Sequence, residues 1–163
     1  MTGRIAYLAG GCFWGLEELF REQPGVIDTE VGYSGGTNDH PDYYDTGGHA
    51  ETLAITYDIN QTTYDNLLDF FFRIHDPTTL NRQGNDVGSY YRSAIFYQNN
   101  EELESAKAMI AKVNSSGIYK SPVVTSLEKF ERFISAEDFH QDYLRKHPGG
   151  YTCHYIRTDK SLI

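Results

Sequence analysis

Between residues 5 and 20 the apolar pattern changes period across two adjacent glycines, and this junction constrains the fold more than any other feature of the chain. Residues 5–9 are a short apolar run suited to a buried strand. Gly10 and Gly11 permit a sharp turn, and from Phe13 onward Leu16, Leu19 and Phe20 recur at helical spacing. The run Gly11, Cys12, Phe13, Trp14, Gly15 therefore puts one of two cysteines beside the only tryptophan, at the start of a helix. Unpaired N–H groups and the positive end of the helix dipole favour a thiolate there, so a lowered pKa and a reactive Cys12 are expected. The competing reading is an inert core thiol, because free cysteines are among the most buried residue types.

The pattern then runs on as strand, strand, helix, strand. The first helix should stop near Gln23, ahead of Pro24 and Gly25. Residues 26–33 alternate, with Ile27, Thr29, Val31 and Tyr33 on one side. Residues 34–48 have no period and are long enough for a functional loop. Alternation resumes with Glu51, Leu53, Ile55 and Tyr57 on one face. It leads into a helix whose Thr62 and Asp65 resemble a cap and whose Tyr64, Leu67, Leu68, Phe71 and His75 form a stripe that ends before Pro77. A polar loop at 78–89 precedes a strand at 93–97, a helix at about 101–115 and a strand at 123–130. A last helix at 135–145 opens with a cap-like Ser135 and Asp138, and an irregular Pro- and Gly-containing tail begins at His147. This order is that of the split βαβ plait with elements added at its end. The expectation is an α+β two-layer sandwich with a ferredoxin-like plait, one domain over 1–163, and an irregular tail over 147–163 carrying Cys153.

A length of 163 residues suits one domain with one core. With 14 Lys and Arg against 23 Asp and Glu there is no basic stripe for a phosphate backbone, so nucleic acid is disfavoured as a partner. No stretch approaches membrane-spanning length and the first apolar run is too short for a signal segment, so a cytoplasmic protein with no membrane role is expected. Cys12 and Cys153 do not make a disulfide scaffold; in a reducing compartment a bond between them would be transient and catalytic.

The same residues exclude some chemistries. A dinucleotide loop needs a glycine where Cys12 stands. The six histidines, at 40, 49, 75, 140, 147 and 154, make no cluster of ligand spacing, and adjacent Cys153 and His154 would chelate poorly, so neither a metal nor a cofactor is expected. A cysteine hydrolase would need a histidine beside Cys12; His49 is the best candidate, and that alternative stays open. Glu51 shares its strand face with Leu53 and Ile55, so the pleat points its carboxyl to the apolar side. Desolvation would raise its pKa, and a carboxylic acid that keeps its proton at neutral pH can donate to a developing oxyanion. A strand-end Glu turned to solvent is the alternative.

Six blocks, in order, carry a resemblance: GCFWG at 11–15, VGYSGG at 31–36, GHAE at 48–51, HDP at 75–77, QGNDVG at 83–88 and YRS at 91–93. Through them the chain resembles peptide-methionine (S)-S-oxide reductases of the MsrA type. The resemblance implies reduction of the S epimer of methionine sulfoxide, free or in proteins. It implies that Cys12 attacks the sulfoxide sulfur while Glu51 protonates the oxygen, held by the hydroxyls of Tyr43 and Tyr91. Phe13 and Trp14 would wall an apolar pocket for the substrate methyl group, and Asp86 would order the site. Tyr43 is chosen over Tyr44 because it follows Pro41 and Asp42, and Tyr91 over Tyr90 because it precedes Arg92 and Ser93. His49 and His75 read as structural, one a hydrogen-bonded loop residue and the other at a helix C-terminus. The reaction would leave a sulfenic acid on Cys12, with which a second thiol can condense; Cys153 is the available partner and thioredoxin the expected reductant. Some members carry two recycling cysteines in a glycine-rich tail, whereas HPGGYTCHY, at 147–155, offers one. Gly149 and Gly150 would let that segment bring Cys153 to Cys12; a buried, inert Cys153 is the alternative. A monomer is expected. The rival classes are another thiol enzyme, either a peroxidase or the hydrolase above, and a noncatalytic peptide-binding module.

Overall fold

The computed structural model describes residues 3–162; Met1, Thr2 and Ile163, which fall within the expected domain and tail, lie outside the described residues. In chain order the elements are β1 (Gly3–Gly10), α1 (Phe13–Arg21), β2 (Val26–Ser34), β3 (Ala50–Asp58), α2 (Tyr64–Ile74), β4 (Arg82–Gln83), β5 (Asp86–Val87), β6 (Ser93–Tyr97), α3 (Asn100–Ser116), β7 (Ser126–Lys129), β8 (Ile134–Ser135) and α4 (Tyr143–Lys146). Short 3-10 turns lie at Ser89–Tyr91 and Asp138–His140. One sheet runs in the order β7-β6-β1-β3-β2-β8, and β4 and β5 form a separate hairpin. β1 pairs antiparallel with β3 and β6, and β3 with β2. The central order β6-β1-β3-β2 is that of the split βαβ plait: α1 carries the chain from β1 past β3 to β2, and α2 carries it from β3 past β1 to β6. β7 joins β6 in parallel, so the sheet is mixed, and the class is α+β as expected.

Register decides what the helices cover. Leu8 stands opposite Leu53 on one side and Ile95 on the other, and Val31 also opposes Leu53. These residues meet Phe13, Leu16 and Phe20 of α1, Leu67, Leu68 and Phe71 of α2, and Ala106 and Met109 of α3 in the main core. The same register sets Glu51 opposite Tyr33, which puts its carboxyl on the helix side of the sheet. The other face carries smaller residues, Ala9, Ala50 and Ala94, and is covered by Phe130, whose ring stacks on Tyr7 at 4.1 Å. α1 has no side-chain cap and no acidic residue in its first turn. A missing cap forgoes about 1 kcal/mol, whereas burying three large apolar side chains contributes about 2 kcal/mol each, so packing holds the helix and its first N–H groups serve the site instead of a cap.

Local expectations differ from the structure at four places. Ile27 is 59% exposed because the β2–β3 register shifts between Val26 and Asp28, and the bulge turns it outward. Thr63, not Thr62, caps α2, accepting from the Asn66 N–H at 3.1 Å. The strand expected at 123–130 is confined to β7, because the Val123 N–H donates to Asn114 at 2.9 Å and the Val124 N–H to the Pro77 carbonyl at 2.8 Å. The helix expected at 135–145 is replaced by β8, a 3-10 turn and the four residues of α4. Tertiary bonds take the groups a helix would use. The Gln141 amide accepts from the Val31 N–H at 2.9 Å and donates to the Val31 carbonyl at 2.8 Å. The Asp142 N–H donates to Glu17 at 2.9 Å, with Asp142 held at φ 55°. Ser135 gives its hydroxyl to Glu30 instead of capping a helix.

Candidate active site

β1 ends in Gly10, Gly11 turns with φ +96°, and Cys12 is the residue just before α1. A side chain at 11 would strike Gln83, whose Cγ would lie 2.5 Å from the new Cβ, so glycine is required there. Cys12 is 3% exposed, Cys153 is half-buried, and both are free thiols. The expected depression of the Cys12 pKa does not occur. Burial pushes the thiol well above its ordinary value, Glu51 once ionised adds to that, and the nearby Trp14 N–H offsets only part of it. Cys12 is a protonated thiol in the free protein.

Glu51, 1% exposed at the start of β3, reaches under α1 and accepts the Phe13 N–H on Oε1 at 3.2 Å. Its Oε2 is buried and has no partner. Burial raises its pKa to about 8, outweighing the Phe13 N–H, with Asp86 and Glu137 adding to the rise. The carboxyl therefore carries a proton at neutral pH. Since Oε1 accepts from backbone, that proton sits on Oε2, with no protein acceptor to take it. The solvent-facing alternative does not hold.

Tyr43, from the 34–48 loop, and Tyr91, from the 3-10 turn before β6, interact through their hydroxyls. Burial raises both phenols, and Glu51 once ionised raises them further, so both remain donors at any ordinary pH. Trp14 stacks on Tyr143 at 3.8 Å and lies parallel to Tyr43 at 6.1 Å. Phe13 is fully buried against Tyr33 at 5.8 Å and His140 at 5.3 Å; it is an interior wall, and the partly exposed ring is that of Trp14.

Two positioning groups, Glu137 and His140, have no counterpart in the sequence reading. The Trp14 indole N–H donates to His140 Nδ1 at 2.9 Å. Burial lowers the His140 pKa against the partial opposition of Glu137, so its neutral ring carries the proton on Nε2, 3.9 Å from Glu137. Burial alone would raise Glu137, but bonds from its own N–H, the Tyr33 hydroxyl at 2.9 Å and the Tyr43 N–H at 3.3 Å hold it below its ordinary value. No local motif marks these residues, because they act from the segment whose helical pattern misled.

On the other side, Asp86 accepts from Tyr151 at 3.4 Å and from the Cys153 thiol at 3.9 Å, and its charge reaches Cys12, Glu51 and both phenols. His49 has both ring nitrogens occupied by its own loop: Nδ1 accepts from Gly36 at 2.9 Å and Nε2 donates to Asn38 at 2.7 Å. It is not available as a base. His75, pushed down to about 3 by burial, donates from Nδ1 to Phe71 at 2.7 Å and accepts from Ser93 at 2.8 Å, a structural role as expected. Among the described residues no group of three or more His, Cys, Asp or Glu is placed to hold a metal ion, and no helix is long and apolar enough to cross a membrane.

The plait thus gathers a buried cysteine, a buried carboxyl and two phenols around one helix start, and the class of protein it belongs to is that of the oxidoreductases. The family model for Peptide methionine sulfoxide reductase matches residues 4–162. The chain is 56% identical over 159 residues to Peptide methionine sulfoxide reductase MsrA of Nocardia farcinica, covering 98% of this chain and 94% of that one. Its structure is similar to that of reduced Mxr1 from Saccharomyces cerevisiae, with TM-score 0.90 and 36% identity over 96% of this chain and 93% of that one. It is also similar to Mxr1 in complex with Trx2, with TM-score 0.68 and 28% identity over 96% and 91%. The chain belongs to the peptide methionine sulfoxide reductase family. It is an enzyme that reduces methionine sulfoxide.

Proposed function

We propose that Cys12 reduces the S epimer of methionine sulfoxide, free or in proteins, with Glu51 as the proton donor. The observation that carries this reading is the Glu51 carboxyl, proton-bearing near neutral pH, with a buried and unpartnered Oε2 under the helix that begins beside Cys12. Tyr43 and Tyr91 hold the sulfoxide oxygen, the methyl group rests on Trp14 with Phe13 behind it, and Asp86 orders the side nearer Cys153. Fixing the oxygen, the methyl group and the line of attack at a stereogenic sulfur admits one hand only; the family resemblance supplies which.

As the Cys12 sulfur attacks the sulfoxide sulfur, Glu51 gives its proton to the oxygen and the Cys12 proton replaces it on the carboxylate. In net, the oxygen passes to Cys12, whose sulfur is oxidised by two electrons to a sulfenic acid, while the sulfoxide is reduced to methionine. Cys153 then condenses with the sulfenic acid, releasing water and forming a disulfide. A thioredoxin reduces it, a reading supported by the Trx2 complex of the yeast relative. The enzyme works as one domain, as a monomer, in the cytoplasm, whose reducing conditions return cysteines to thiols. A hydrolase is disfavoured because His49 has no free nitrogen.

The test is epimer-resolved turnover with intact mass measurement. Cys153→Ser should release one methionine per enzyme from the S epimer, retain the mass of one added oxygen atom, and stall with thioredoxin. Cys12→Ser should release none. Methionine from Cys12→Ser, or sustained thioredoxin turnover by Cys153→Ser, would overturn the corresponding step.

A further inference from the structure

From residue 145 to residue 162 the tail is half-buried or exposed at every position but one, and that one is His154, directly after Cys153. Its Nε2 lies 2.6 Å from the Gly10 carbonyl oxygen, an atom that can only accept, so Nε2 donates, and burial keeps the ring neutral. Gly10 is two residues before Cys12. The two cysteine-bearing segments are thus tied by one hydrogen bond between residues far apart in the chain.

The ring sits in a notch made by absent side chains. A methyl group at Gly15 would overlap the His154 imidazole, with Cγ 3.0 Å away, and the Thr152 hydroxyl; one at Gly11 would lie 3.4 Å from His154 Cε1. The other ring nitrogen, Nδ1, is buried without a partner. The seat therefore holds the ring by shape and by a single bond, while Thr152, Tyr155 and Ile156 around it are exposed. Cys153 Sγ meanwhile faces the Gln83 carbonyl at 3.8 Å and Asp86 at 3.9 Å.

We propose that His154 is the positioning residue of the disulfide-forming step: seated in the notch at Gly11 and Gly15, its imidazole sets where Cys153 stands relative to Cys12. This rests on the reading of Cys153 as the resolving thiol. In that step the S–O bond of the Cys12 sulfenic acid breaks, the S–S bond forms, and the hydroxyl leaves with the Cys153 proton as water. A tail without the anchor samples a larger volume, so the effective concentration of the Cys153 thiol at Cys12 falls.

The experiment is a single turnover of the full chain with methionine sulfoxide, quenched to count methionine, sulfenic acid trapped by dimedone, and the Cys12–Cys153 disulfide. In His154→Ala methionine should form at the wild-type rate, the disulfide should form about tenfold more slowly or worse, and trapped sulfenic acid should accumulate. In steady state with thioredoxin, kcat should fall with KM for the sulfoxide unchanged. His154→Gln, whose amide can donate to the Gly10 carbonyl, should recover part of the rate. Gly15→Ala, which leaves the tail's sequence intact, should slow the disulfide by displacing the ring and its neighbour Thr152. Disulfide formation at the wild-type rate in His154→Ala overturns the proposal. Should that variant fail to fold, wild-type rates in both His154→Gln and Gly15→Ala overturn it equally. Cys153→Ser, run alongside, separates the two readings: if it stalls while His154→Ala does not, only the anchor falls, and if it turns over with thioredoxin, both fall.

Discussion

Replacing Glu51 with Gln keeps the shape of the carboxyl and the acceptor for the Phe13 N–H but removes the titrating proton, and two independent readouts follow. The first is activity. With Glu51 titrating at about 8, the proton-bearing form is about 90% of the protein at pH 7 and about 10% at pH 9. Because the buried Cys12 thiol does not ionise in that range and so adds no opposing limb, kcat/KM of the native enzyme should fall about tenfold across it. Glu51→Gln should be slower by about 10²–10⁴ at neutral pH and lose that limb of the profile. The second readout is stability. Glu51 ordinarily titrates at 4.5 and is raised to about 8 when folded. Its contribution is therefore complete below about 4.5 and is lost as pH rises through about 8. The folded state holds one more proton than the unfolded chain in that window, so stability falls by about 1.4 kcal/mol per pH unit, or about 3 kcal/mol between pH 6 and pH 9. Urea unfolding at the two pH values should show this loss in the native protein and not in Glu51→Gln. A native kcat/KM that does not fall above pH 8, together with parallel stability curves, would refute both the buried acid and its role.

Trp14→Phe removes the indole bond to His140 and part of the ring face, so KM for the sulfoxide should rise several-fold with little change in kcat, and stability should drop by about 1 kcal/mol for the unpaired His140 Nδ1. An unchanged KM would remove Trp14 from the methyl site. Gln141→Ala leaves the Val31 N–H without its partner and should cost about 1–3 kcal/mol in denaturant unfolding, because that amide replaces the helix which the segment's pattern promises. A variant as stable as the native protein would show that β2 and this segment are held by other bonds.

Much of the fold was legible because it depends on short-range pattern. Alternation at 26–33 and 51–57, helical spacing after Phe13 and Tyr64, and the two glycines before Cys12 specify the plait order, and the period of 2 along β3 already points Glu51 inward. The segment at 135–145 is the complementary case. Its local pattern is helical, yet the partners of Gln141 and Asp142 are Val31 and Glu17, more than a hundred residues away, and nothing nearby in the chain reports them.

By itself, then, the sequence determined the order and periodicity of the elements, the family, and which residue types meet at the first helix start. Only the tertiary structure decided their ionisation: Cys12 looks activated when read as a helix cap, but burial, a property of everything packed around it, overrides the dipole and leaves the thiol and the Glu51 carboxyl both protonated. Tertiary packing also decided that His140 orients Trp14 and that His154 ties the tail to the Cys12 turn. Those bonds join segments whose only relation is that the fold brings them together, and a linear pattern carries no record of a distance in space.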